Sequence, residues 1–194
     1  MRGPLGGLPG RNYVRFLTPD EIRAWVANLD IELGAGDGTP DTEPGHMRHV
    51  RFLLPQTPGQ VTWLCRFIGS CLEPRANCLL WISEWGVWPS SENWHLYYRL
   101  RQSYADHRML HEAPGHLFLD YEEADLVSFL ELGILNGWDM HLLPVLNYGE
   151  SDTARAFVSH DEWVLLSHRE TAPVNEWTEA LRRANYRLLS PGAA

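Results

Sequence analysis

The sequence predicts an α+β (mixed α/β) fold, a single domain of helices packed on a mixed central β-sheet with a C-terminal β-hairpin and a closing helix. Three observations carry that expectation. Short apolar runs alternate with capped helical stripes through the first half. Two strand-like runs, 154–159 and 163–167, flank the turn His160-Asp161-Glu162. The chain has 194 residues, and a domain of that size buries roughly 70% of its extended surface.

Residues 1–11 are dominated by glycine and proline and read as a disordered leader, with 191–194 as a disordered tail and 12–190 as the globular domain. Residues 13–17 suit a short strand. Thr18-Pro19-Asp20-Glu21 is then a helix start: threonine caps, proline takes the first turn, and Glu21 completes a capping box. Ile22, Trp25, Val26 and Leu29 form the stripe which that helix buries. Residues 33–46, rich in glycine, proline and acid, read as a mobile acidic loop.

A strand over 50–54 precedes a second cap signature, Thr57-Pro58-Gly59-Gln60, and a helix to Leu72. With the strand at 78–82 these form a crossover unit, which points to parallel strands in the sheet. Residues 106–116 read as a loop and 116–119 as a short strand. Asp120 opens a helix with the stripe Leu126, Phe129, Leu130 and Ile134, stopped by Asn136-Gly137 in a left-handed turn. Residues 138–146 are a strand, edge-like at Pro144. The closing helix starts near 173–175 and buries Trp177, Ala180 and Leu181.

The chain is organised around residues 77–104. Cys78-Leu79-Leu80-Trp81-Ile82 has the length of a strand covered on both faces. At period two, Trp81 and Trp85 share one face and Glu84 takes the other. Gly86 and Pro89 stop the strand, and Ser90 or Ser91 caps a helix. On its wheel Trp94, Tyr97, Tyr98, Leu100 and Tyr104 fall on one arc. Arg101 breaks that arc. A guanidinium cannot lose its proton, so Arg101 either snorkels over the tyrosines to water or, if buried, needs a carboxylate. Glu84 and Asp139 are the first partners expected.

Net charge is −9 and all 16 fixed cations are arginine. Without a basic cluster, such a chain is a poor ligand for nucleic-acid phosphates or an anionic membrane surface. It suits a protein partner with a basic face. No run approaches the ~18 apolar residues of a membrane span, and the N-terminus lacks the apolar core of a secretion signal. The 3 cysteines, Cys65, Cys71 and Cys78, form no CxxC pair, and their odd number opposes a complete disulfide framework. A reducing, cytoplasmic setting is therefore expected.

Motifs of specific chemistry are missing: there is no HExxH, no Gly-x-Ser-x-Gly elbow and no phosphate loop with its lysine. Ser159-His160-Asp161 has the letters of a triad, yet neighbours along a strand point to opposite faces. A metal reading has more to stand on. Asp139 and His141 lie two apart on a strand, and one of His107, His111, His116 or His160 would complete a zinc-type site with an open position. The function expected is a non-enzymatic acidic binding module of inhibitor or immunity type, working without a cofactor. It would present Trp85, Trp88 and Trp94, with Glu84 and Arg101, to a basic-faced protein. The alternatives are a small hydrolase dependent on a divalent metal such as zinc, and a self-associating subunit whose tryptophans meet at the two-fold axis of a homodimer.

Overall fold

The computed structural model describes residues 14–29, 31, 33–34, 38–73, 75–86, 91–146 and 153–190. In chain order the elements are β1 (Arg15–Leu17), α1 (Pro19–Ala27), β2 (Arg48–Leu53), α2 (Pro58–Cys71), β3 (Arg75–Glu84), α3 (Ser91–Ser103) and β4 (Gly115–Leu119). A 3₁₀ turn (Asp120–Glu122), α4 (Glu123–Asn136), β5 (Asp139–Leu146), β6 (Ala154–Ser159), β7 (Trp163–His168) and α5 (Thr171–Arg183) follow. The strands form one 7-stranded sheet in the order β1-β4-β3-β5-β6-β7-β2. The α+β class is as the sequence predicts. Among the described residues every strand pairing is antiparallel, so the sheet is not mixed. The crossover through α2 does join strands that run the same way, but β5, β6 and β7 stand between them, so β2 and β3 never pair.

Local chemistry accounts for some element ends. The Glu21 backbone N–H donates to Thr18 Oγ1 and the Thr18 N–H donates to Glu21 Oε2, the reciprocal capping box. At Thr57 the same signature works differently. The hydroxyl donates to Gln60 Oε1 at 2.8 Å and caps no backbone N–H. Gly137 ends α4 at φ 65°, a left-handed position that glycine adopts without a Cβ clash. In the described part of the acidic stretch 33–46, Pro40 and Pro44 are buried, Leu33, Asp41, Glu43, Gly45 and His46 are exposed, and Gly34 N–H donates to Thr39 O at 2.7 Å.

The sheet buries its two faces unequally. Cys78, Leu80, Ile82, Met140 and Leu142 join the larger core beneath α2, α3, α4 and α5. Leu79 and Leu143 pack with Ile22 and Val26 of α1 on the other face. That helix lies close: a Cβ on Gly115 would sit 2.7 Å from Ile22 Cγ1, so this position of β4 admits no side chain without movement. Trp81 packs on the α1 side while Trp85 packs on the larger core, so the two do not share a face. A register irregularity between Ile82 and Glu84 breaks the alternation there.

Arg101 is fully buried and does not reach water. Its Nη2 pairs with Asp106 Oδ1 at 2.9 Å, not with Glu84 or Asp139, and its Nη1 donates to Tyr97 Oη at 2.9 Å. Asp106 also holds Arg108, whose Nη2 donates to Phe16 O in β1. Because Pro114 O can only accept, His116 Nδ1 is the donor in their 3.1 Å contact. His116 Nε2 is then an acceptor, and the Tyr97 hydroxyl donates to it at 2.9 Å. Burial, reinforced by the Arg101 charge, pushes the His116 pKa down to about 3. Burial alone would raise the Asp106 pKa, but the bonds from Arg108 and Arg101 outweigh it and hold it below the usual carboxylate range.

These shifts set a pH dependence. The unfolded chain protonates His116 near 6.5 while the native state refuses that proton until about pH 3. Stability is therefore intact above the higher value and falls as pH drops through the window, by about 1.4 kcal/mol per pH unit for this one site. Asp106, with a depressed folded pKa, loses its contribution in the same direction at lower pH. Urea unfolding of wild type and His116→Asn between pH 7 and pH 4 checks this: the variant's stability should vary less steeply.

Candidate functional site

The end of α4, the segment leading into α2 and the tip of the β6–β7 hairpin enclose a cleft of about 440 Å³. Its walls are largely apolar, with Leu54, Pro55, Val61, Ile134, Leu135 and Trp138 prominent. Asn136, Ser159, His160 and Glu162 supply polar groups. Leu135 is 52% exposed, while Trp138 is buried. Trp94 and Tyr97 of α3 stand edge-on to the Trp138 indole at 5.2 and 5.0 Å between ring centres. Trp138 Nε1 and Asn136 Oδ1 are buried without a hydrogen-bond partner among the described residues. Such an atom costs about 1–3 kcal/mol, and both belong to residues that line the cleft.

The hairpin tip is held in place from two sides. Glu162, at φ 64°, closes the three-residue turn in the left-handed region. Its carbonyl accepts from Leu54 N–H at 2.7 Å, which fastens the tip to the entry of α2. On the other side Asp139 Oδ1 accepts from both the His160 backbone N–H, at 2.6 Å, and His160 Nδ1–H, at 2.8 Å. Asp139 in turn pairs directly with Glu84 across β3 and β5. Donor atoms of Glu84, Asp139 and His160 all lie within 4.8 Å of one another. Asp161 Oδ1 is 3.5 Å from His160 Nε2.

Partial burial lowers the His160 pKa, but the Asp139 hydrogen bond and the charges of Asp139, Asp161 and Glu84 outweigh it and hold it above the ordinary value. An Asp–His pair of this kind is half of an acid–base site. The neighbouring Ser159 is buried, and its Oγ accepts from Asp161 N–H at 3.2 Å. The three cysteines are buried, and desolvation pushes their thiols up, Cys78 to about 12.

The residues singled out from sequence are divided by the structure. Trp94 is half-buried on Trp138, Trp85 is half-buried against the larger core, and Trp88 lies outside the described residues. Arg101 is sealed in the core and Glu84 is exposed at the end of β3. Of the histidines, His107 and His111 are exposed after α3 and His116 is sealed beside Arg101. His141 is buried against Trp81 and Phe157, with ring centres 6.0 and 4.7 Å away. Only His160 joins Asp139, and the third member of the group is Glu84. The cleft residues Leu135, Asn136 and Trp138 carried no functional signal beyond the Asn136-Gly137 turn. No protein-family model, curated protein or solved structure matches this chain.

If Asp139 holds the His160 proton, Asp139→Asn lowers the His160 pKa. An NMR titration of the imidazole in both proteins reads this directly; an unchanged midpoint would mean that the contact is not formed in solution.

Proposed function

We propose that the chain is a non-enzymatic binding module that takes an apolar side chain of a basic-faced protein partner into the cleft beside His160. The observation that supports it is an apolar cleft with an acidic rim. Leu135 stands half out of the surface over walls of Leu54, Val61 and Ile134. At the hairpin end Glu162 lines the cleft and Glu84, Asp139 and Asp161 surround His160. Among the described residues no arginine lines the cleft. Negative rim charge speeds and orients the encounter with a basic surface, and a desolvated apolar anchor then supplies residence.

This reading moves the contact surface expected from sequence. Trp94 acts from behind, packing edge-on against Trp138, and its indole supports the cleft wall. The net charge of −9 gives the long-range attraction.

The test is photo-crosslinking through a benzophenone amino acid at position 135, followed by affinity measurement with the captured partner. The cross-linked segment should carry an apolar residue flanked by lysine or arginine, and added salt should slow association. Leu135→Asp should weaken binding by about tenfold or more, as for an interface hot spot. Unaltered affinity of that variant, or an acidic partner surface, would contradict the reading.

A further inference from the structure

Several carboxylates of the molecule pair with arginine, whereas among the described residues those of the acidic corner beside the cleft do not. Asp106 is held by Arg101 and Arg108, Glu43 lies 3.6 Å from Arg51, and Glu73 pairs with Arg75. Glu84 has no ion pair with a basic side chain among the described residues, and Asp139 has only the His160 imidazole. The antiparallel register of β3 and β5 nevertheless places these two carboxylates directly opposite each other. Like charges in that position repel, and separating them would require a change of register.

We propose that Glu84, Asp139 and His160 form a binding site for one divalent transition-metal cation, zinc or manganese. The donor set carries the argument. Two carboxylates and one imidazole have converging donor atoms within 4.8 Å, and they come from strand ends and a tight turn rather than a loose loop. An imidazole in the set disfavours calcium and magnesium, which take oxygen ligands, and suits zinc or manganese. Three protein ligands leave coordination positions open to water or to a ligand in the cleft, which His160 also lines. The cation adds a positive charge to a corner that carries two facing carboxylates. The site differs from an Asp139–His141 pair completed by a loop histidine, because His141 is committed to the packing between Trp81 and Phe157. The inference does not rest on a protein partner: it concerns the isolated chain.

The experiment is calorimetric titration of chelator-treated, tag-free full-length chain with zinc chloride and, separately, manganese chloride, alongside thermal melts. One equivalent should bind and raise the melting temperature. Glu84→Gln and Asp139→Asn should each weaken binding by at least about tenfold. Glu84 is exposed, so its variant should fold as wild type does, with the metal-free melt as the check. His107→Gln/His111→Gln, which removes two exposed histidines outside the corner, should bind as wild type does. No stoichiometric uptake of either metal would overturn the proposal. So would uptake that survives both carboxylate substitutions or that is lost with His107 and His111.

Discussion

A guanidinium that cannot be neutralised sits at the centre of this fold. Arg101 has no access to water, so its charge must be answered from within. Asp106 answers it, and the answer links four parts of the chain. Arg101 belongs to α3, Asp106 to the loop after it, Arg108 reaches from that loop to Phe16 O in β1, and Tyr97 reaches His116 in β4. Removing either member of such a pair strands a buried charge, so the network fixes where α3 rests. Tyr97 and Trp94 then meet Trp138, the residue before Asp139. The Trp138 wall of the cleft is thus braced, through Tyr97 and Trp94, by a charge that does not touch it.

The corner follows a different rule. In the core Arg101 and Asp106 answer each other, whereas at the ends of β3 and β5 two carboxylates face each other with one imidazole and Asp161 close by. Backbone pairing holds them there and side-chain electrostatics opposes it. Local disagreement of this sort is what a binding site leaves on a fold, and it is the ground on which the metal site is proposed.

Most elements were legible in the sequence because their signals are local. The Thr18 capping box, the Gly137 stop and the β6–β7 hairpin depend on residues within a few positions of one another. The partner of Arg101 was not. Asp106 falls on the solvated side of a continued helical wheel, and it turns inward only because the helix ends. Ala105 takes φ 61°, and Asp106 N–H bonds back to Arg101 O at 3.3 Å. The separation of Trp81 from Trp85 likewise follows from a register irregularity that no alternation pattern reports. At the candidate site, strand spacing put Asp139 and His141 on one face, but the residues that join Asp139 come from β3 and from the hairpin tip. Only the pairing of β5 with β3 and the fastening of that tip bring Glu84 and His160 to it.

The buried charge is open to direct measurement by NMR of the arginine side chains. The structure predicts that the Arg101 guanidinium N–H signals are individually resolved, with restricted rotation and exchange far slower than at the exposed Arg23 and Arg182. Arg101 signals that average and exchange with water like those two surface residues would place its charge in solvent. That result would contradict the arrangement on which α3, Trp138 and the cleft depend.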